Sequence, residues 1–143
     1  MATNAFPVPA AGSASNTSQP GLLPLIGRIL IAAIFLLSGA SKLAAPAGTI
    51  GYIQAAGLPL PTPAYAVAVA TELGAGLLLV LGYRTRIVAA WLALFSIATA
   101  FGFHHDLADQ NQFIHFFKNI AIAGGLLQVV AFGGGLLSID GRR

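Results

Sequence analysis

The sequence contains no cysteine and few charged residues. Only 7 of its 143 residues are Lys or Arg and only 4 are Asp or Glu, which makes 8% of the chain charged. Soluble domains average about 25%. Without cysteine, this chain alone forms no disulfide, thiol redox site or iron–sulfur cluster. Hydrophobic residues make up 57% of the chain, and its mean hydropathy is +0.83. These values predict an integral membrane protein.

The scarcity of basic residues also argues against nucleic acid as a partner. The net charge is +3, and a nucleic-acid-binding domain normally concentrates many more Lys and Arg residues on one face. Most of the basic residues here lie beside apolar segments, where cations act as topology signals. The partner that the composition indicates is therefore the lipid bilayer.

Four apolar segments approach or exceed the length needed to cross a bilayer, which takes about 20 helical residues. They run from about 22 to 45, 64 to 83, 87 to 103 and 113 to 135. We therefore predict an all-α, integral membrane four-helix bundle. The segment 46–63 is too broken by Gly and Pro to span. We expect a short interfacial helix at 49–56 whose apolar side chains lean on the membrane, then an extended stretch at 59–63.

The sequence divides into a tail, a membrane domain and a short end. Residues 1–21 are mostly Ala, Ser, Asn, Thr, Pro and Gly, a composition that cannot build a core, so we predict a disordered N-terminal tail. Residues 22–140 form the four-span domain, and 141–143 form a C-terminal tail.

Arginine placement predicts the orientation in the membrane. With four spans, Arg28, Arg84 and Arg86 lie on the same side as both chain ends. Cytoplasmic loops are enriched in Lys and Arg. We therefore interpret these three arginines as topology anchors and place both termini in the cytoplasm.

Six polar residues in or beside the spans are candidates for a site: Lys42, Glu72, His104, His115, Lys118 and Asn119. The last three have helical spacing that puts them on one face. A charge near the centre of a span costs at least ~2.5–3.5 kcal/mol, so such residues usually face the protein interior.

Two interpretations of this polar cluster stay open. Glu72 and a lysine form a structural ion pair that fixes the helix register, or the same residues line a ligand pocket. We expect Lys118 to be the partner of Glu72 in preference to Lys42, because Lys42 lies nearer the interface and can extend to water.

The histidines raise the question of a metal or haem site. His104, His105 and His115, with Asp106, are ligand types for either. However, His104 and His105 are adjacent in the sequence and lack the i, i+4 spacing that places two ligands on one helical face. We predict no bound metal and no haem.

Several segments resemble the DoxX family of small bacterial membrane proteins. They are Arg28 followed by IFLLSGASKL (34–43), GLPLP (57–61), ELGAGLLL (72–79), GYRTR (82–86), HFFKNIAIAGGLL (115–127) and LSID (137–140). Their order and spacing carry the resemblance, which covers about residues 22–140.

The resemblance implies a four-helix protein of the bacterial inner membrane that is either an oxidoreductase itself or a subunit associated with quinone-linked oxidases. It adds a quinone as a candidate ligand, although no residue by itself demonstrates a cofactor. It also adds membrane oxidoreductases as candidate partners, with self-association left open. Two alternatives remain: a non-catalytic scaffold or assembly subunit, and a small-solute transporter with Glu72 as a proton-coupled site.

Overall fold

The protein is all-helical in the computed structural model, which describes residues 21–142. The helices are α1 (Leu22–Ala44), α2 (Pro46–Ala55), α3 (Pro61–Ala70), α4 (Gly76–Leu81), α5 (Thr85–Phe103) and α6 (Gln110–Phe132). A π-helical turn, Thr71–Ala75, joins α3 to α4, and a short 3-10 helix spans Asp140–Arg142. Residues 21–142 contain no strand. The predicted tail at 1–21 lies outside these residues except for Gly21.

Four helical segments are long and apolar enough to cross a membrane, as predicted. They are Leu22–Ala44, Pro61–Leu81, Thr85–Phe103 and Gln110–Phe132. The second consists of α3, the π turn and α4. It begins three residues earlier than expected, because proline is favoured in the first helical turn, where its missing N–H is not needed. The prediction of an extended chain through residue 63 was therefore wrong.

The helix ends define two ends of the bundle. The terminal end contains the start of α1, the turn between α4 and α5, and the end of α6. The loop end contains the segment that joins α1 to α3 and the loop between α5 and α6. At the loop end Asp109 caps α6, since its carboxylate accepts a hydrogen bond from the Gln112 backbone N–H at 2.8 Å. Such a cap satisfies one of the free amides in the first helical turn.

The core is built from small and aliphatic residues at the centre of the four spans. Its fully or nearly fully buried members are Ala32, Phe35, Leu79, Val88, Ala89, Leu92, Ala93, Ala123 and Leu126. Four of these nine are alanines, which let helix backbones approach closely in a membrane. Large apolar side chains cover the outside instead, with Leu37 71% and Phe132 75% exposed. This distribution suits a lipid environment.

Glycines bring α1 against the second span. A Cβ added at Gly39 would lie 2.8 Å from Leu73 side-chain atoms. One added at Gly76 would lie 3.1 Å from Leu36. Gly39 and Gly76 thus serve close helix packing, and this packing places α1 beside the π turn.

Arg28 has a structural role that the sequence did not reveal. Its side chain is 1% exposed, so it is an interior group as well as a positive charge near the terminal end. Its guanidinium donates to the carbonyls of Leu79 at 3.2 Å, Val80 at 3.4 Å and Leu137 at 2.6 Å. The first two belong to the last turn of α4, where carbonyls have no i+4 partner within the helix, and the Leu79 carbonyl also accepts from the Gly82 backbone N–H at 3.2 Å. The interpretation of Arg28 as simply a topology anchor was incomplete.

The C-terminal segment closes the terminal end by capping α5. The Asp140 carboxylate accepts hydrogen bonds from the backbone N–H of Arg84 at 2.9 Å and of Thr85 at 2.6 Å. It also accepts one from the Thr85 hydroxyl at 2.7 Å. A carboxylate at a helix N-terminus satisfies free amides and complements the helix dipole. Gly141 and Arg142, which the sequence assigned to a C-terminal tail, belong to the exposed 3-10 helix Asp140–Arg142.

Candidate functional site: a polar cavity at the loop end

A cavity of about 840 Å³ lies between the spans toward the loop end. All six candidate residues line it: Lys42, Glu72, His104, His115, Lys118 and Asn119. Apolar side chains complete the wall, among them Ile34, Phe35, Val67, Phe95 and Ile122. The volume falls in the range of small-molecule pockets, about 300–1,000 Å³, which are mostly apolar with a few placed polar groups.

The innermost polar group of the cavity is an ion pair between α1 and the π turn. Lys42 Nζ lies 2.9 Å from Glu72 Oε1. Lys42 also donates to the Ser38 hydroxyl at 2.7 Å, and Ser38 donates to the same Glu72 oxygen at 3.1 Å. Lys42 and Ser38 are one helical turn apart on α1, so both reach the carboxylate from one face.

The expected pairing of Glu72 with Lys118 was wrong. The close packing of α1 at Gly39 brings Lys42 to the carboxylate. No carboxylate lies within ion-pair distance of Lys118 in the described part of the chain. Lys42 is a quarter exposed at its side chain, and its long apolar stem lets the ammonium turn inward.

Glu72 keeps one oxygen without a hydrogen bond. The residue is 5% exposed, and its Oε2 is a buried atom that has no partner among the described residues. An unpaired buried acceptor costs about 1–3 kcal/mol or more when charged. Its position in a π-helical turn is also notable, since such turns occur often at functional sites. Both features indicate a residue placed for more than packing.

A second polar group lies nearer the opening at the loop end. The imidazoles of His104 and His115 stack with their centroids 5.0 Å apart and their planes 22° apart. His104 follows the last residue of α5, and His115 lies in the second turn of α6. Asn119 donates its side-chain amide to the His115 carbonyl at 3.1 Å. The predicted face of α6 therefore does turn toward the cavity.

The electrostatics of this second group favour negative charge. Burial lowers the pKa of His104 below its ordinary value, and nearby His115 and Lys118 lower it further. A neighbouring cation disfavours a second one, which is why both act in that direction. An anion placed among His104, His115 and Lys118 would instead raise the pKa of His104.

The short helix α2 forms a wall of the cavity, and the sequence did not predict this. We expected its apolar side chains to lean on the membrane. Instead, Ile53 is 4% exposed and lines the cavity. Tyr52 also lines it and stacks on Phe103 of α5, with centroids 5.4 Å apart. Pro46 begins α2 only two residues after α1 ends at Ala44, and proline at a first helical position is the sequence signal for this new helix.

Residues 21–142 contain no group of three or more His, Cys, Asp or Glu side chains that could hold a metal ion. His105 and Asp106 are exposed in the loop, and neither lines the cavity. Of the four residues considered as metal or haem ligands, His104 and His115 thus line the cavity, whereas His105 and Asp106 lie in the exposed loop. The absence of metal and haem in the purified protein stays a prediction.

The fold and site define a small multi-pass membrane protein with a partly polar internal cavity. The chain belongs to the DoxX family, whose model matches residues 23–105. It is 37% identical over 133 residues to inner membrane protein YphA of Escherichia coli, covering 89% of this chain and 94% of that protein. It is also 37% identical over 119 residues to inner membrane protein YqjF of Escherichia coli, covering 81% and 88% respectively. No solved structure gives a significant match.

Proposed function

We propose that this protein binds a small, largely apolar molecule with a polar head in the loop-end cavity. The observation that carries the proposal is the unpartnered Glu72 oxygen beside an 840 Å³ cavity with apolar walls. Buried polar atoms are nearly always hydrogen-bonded, and the exceptions are often functional. A ligand group that reaches this oxygen would supply the missing partner.

Each part of the cavity has a distinct role in this proposal. Lys42 and Ser38 hold Glu72 Oε1 and leave Oε2 to accept a hydrogen bond or a proton from the ligand. His104, His115 and Lys118 supply donors nearer the opening. The apolar wall binds the body of the molecule by removing it from water.

A quinone is the candidate that the family resemblance adds. Its ring is apolar and its oxygens accept hydrogen bonds, while its reduced form also donates them. The protein would then act as an inner-membrane subunit associated with a membrane oxidoreductase, which supplies or removes the electrons. A scaffold role predicts an empty cavity, and a transporter role predicts ligand movement across the bilayer.

The test is to extract purified protein with solvent and identify bound molecules by mass spectrometry. Ala98 lines the cavity, so Ala98→Phe should reduce any bound molecule by filling its place. Ala90→Phe is the matched control, because Ala90 is exposed on the same helix and does not line the cavity. We expect a stoichiometric ligand in the wild type and the control. Equal amounts in both variants, or none in the wild type, would contradict the proposal.

Native mass spectrometry of the same sample addresses partners. It distinguishes a monomer from a homo-oligomer or a complex with another membrane protein. An oxidoreductase that copurifies in defined stoichiometry supports the subunit role.

We propose further that both termini face the cytoplasm. The terminal end contains Arg28, Arg84, Arg86 and Arg142, whereas the loop end has Lys42 and Lys118 within its spans. This asymmetry is what the positive-inside rule uses. The cavity would then lie toward the periplasm.

A further inference from the structure

We propose that the molecule bound in the loop-end cavity is an apolar carboxylic acid, whose carboxylate is bound by Lys118, His104 and His115. The inference rests on the proposed function, since it names the ligand class for the same cavity. Its starting point is the position of Lys118, a cation inside a span that has no acidic partner among residues 21–142.

Lys118 lies within a span and not at its end, although its side chain is exposed. It is eight residues from the start of α6 at Gln110, roughly 12 Å along the helix axis at 1.5 Å per residue. The span has 23 residues, so Lys118 is about a third of the way along it. Ionisable residues at such depth usually pair with one another or line a ligand path.

The charges around the cavity leave a single uncompensated cation. Lys42 and Glu72 neutralise each other at 2.9 Å. Asp106 and Asp109 lie in or beside the α5–α6 loop and do not line the cavity. Only Lys118 then remains among the charged residues that line it. One negative charge would balance it, which favours a monoanion such as a carboxylate over a doubly charged phosphate.

Two imidazoles line the cavity where they can donate hydrogen bonds to the same carboxylate. His104 and His115 stack 5.0 Å apart and line the cavity with Lys118. Each neutral ring has one N–H donor, and a carboxylate has two acceptor oxygens. Hydrogen bonds between a charged donor and a carboxylate are roughly twice as strong as those between neutral groups. Burial is the largest cause of the lowered pKa of His104, and the neighbouring His115 and Lys118 lower it further.

The remainder of the cavity suits the body of such an acid. Beyond the polar residues the wall includes Ile34, Phe35, Val67, Ala68, Phe95 and Ile122. An alkyl or aromatic body would bury apolar surface there, at a gain of about 0.8 kcal/mol per CH₂ group. The ligand is therefore an amphiphile with its acid group toward the loop end, and a hydroxyl farther along its body would supply the donor that Glu72 Oε2 lacks.

The experiment compares decanoate with decanol, which has the same chain and no charge, as ligands of the full-length protein in lipid nanodiscs. NMR of an isotopically labelled carboxyl carbon reads binding of the acid, and competition against it reads binding of the alcohol. We expect a protein-bound carboxyl signal with a pKa below that of the acid in empty nanodiscs. We expect decanoate to bind more tightly than decanol.

Substitutions test the named residues. Lys118→Met should weaken decanoate binding by about tenfold or more, the loss expected for a charge-assisted hydrogen bond, and leave decanol unchanged. Lys118→Arg keeps the charge and should retain most of the preference. Arg86→Met is the control, because it removes an exposed cation at the terminal end. Melting curves of all three variants verify folding.

The outcomes separate this inference from the proposed function. If decanol or a quinone binds in the cavity as tightly as decanoate, or if Lys118→Met has no effect, the acid is rejected while the cavity proposal stands. Lys118 then simply extends to the membrane surface. If none of these molecules binds and no ligand copurifies with the protein, both proposals fail.

Discussion

Lys42 and Glu72 form an ion pair that joins α1 to the π turn of the second span, with Nζ 2.9 Å from Oε1. Ser38 hydrogen-bonds to both partners. A buried pair contributes little net stability compared with an apolar pair, but removing one partner is costly. The pair therefore fixes the position of the carboxylate. The other Glu72 oxygen, beside the cavity, has no hydrogen-bond partner in the part of the chain that the structure describes.

The first prediction is that Glu72 and Lys42 are energetically coupled, whereas Glu72 and Lys118 are not. Glu72→Gln and Lys42→Met should each destabilise the protein, because each leaves a charge without its partner. The double mutant should recover about 0.5–2 kcal/mol of the summed loss, the usual coupling of residues in contact. Thermal unfolding in one detergent measures all variants.

Lys118→Met supplies the control for this cycle. Lys118 lines the same cavity but is not paired with Glu72. Its effect should therefore add to that of Glu72→Gln within about 0.3–0.5 kcal/mol. The observed pair would be contradicted if the effects of Lys42→Met and Glu72→Gln were additive, or if Lys118→Met and Glu72→Gln were coupled instead.

Hydrophobic pattern was sufficient to predict the four spans, because each is a long apolar run in a chain with few charges. Helical spacing also predicted that His115, Lys118 and Asn119 share a face. It could not show which lysine meets Glu72, since that depends on how closely two helices pack. Gly39 and Gly76 set this distance, and their contacts with Leu73 and Leu36 exist only in three dimensions.

The sequence also did not predict the burial of Arg28 or of Ile53. Arg28 matched the rule for a topology signal, yet it is also buried against carbonyls of α4 and the C-terminal segment. A span-by-span interpretation cannot find partners that are 51 and 109 residues away. Ile53 lies in a helix with little amphipathic pattern, so the sequence did not indicate which side faces the cavity.

The second prediction separates the structural role of Arg28 from orientation. Arg28→Met removes the donor to Leu79 and Leu137. A hydrogen bond from a charged donor contributes about 1.5–3 kcal/mol, so the melting temperature should fall clearly. Arg86→Met, at an exposed position of the same end, should change it little. Equal melting temperatures for the two variants would show that the Arg28 hydrogen bonds do not stabilise the fold, which leaves Arg28 only its role as a topology signal.

The third prediction concerns the turn between α4 and α5. Gly82 has φ +69°, and an added Cβ would overlap the Arg28 guanidinium and Ser138. Gly57 has a similar φ of +73° but open space around it. Both Gly→Ala changes incur the backbone cost of the left-handed region, about 1–2 kcal/mol. Gly82→Ala should cost a further ~1–3 kcal/mol from overpacking.

Both variants incur the same backbone cost. The difference between their melting curves therefore measures the cost of overpacking at Gly82. A loss of stability no greater for Gly82→Ala than for Gly57→Ala would show that the Arg28 side chain moves aside without cost. Combining Gly82→Ala with Arg28→Met should then also show no coupling.

The fourth prediction is the orientation. A cysteine introduced at Arg84 should be shielded from a membrane-impermeant thiol reagent in intact cells, while one at Gly57 should react. The chain has no cysteine of its own, so each variant carries a single reactive position. Permeabilised cells provide the control, where both should be labelled. The reverse pattern in intact cells would place the cavity toward the cytoplasm.

The last prediction is that Lys118→Met raises the pKa of His104. Burial is the largest cause of the lowered pKa, followed by His115 and then Lys118. Removing Lys118 removes only the third cause, so the pKa should move part of the way back toward 6.5, its ordinary value. An NMR titration of labelled histidines measures the change, with His104→Gln to assign the resonance. Arg86→Met should leave that resonance unaltered.

The lowered pKa also fixes the direction of the effect on stability. Below pH 6.5 an unfolded His104 takes up a proton before the folded one does. The unfolded state then binds more protons, so stability decreases as the pH is lowered. This loss is absent above the ordinary pKa and is complete below the folded one. Lys118→Met should lessen the loss, because it brings the two pKa values closer together. A pH dependence of melting as steep in Lys118→Met as in the wild type, with an unchanged His104 titration, would show that the ammonium does not act on this imidazole.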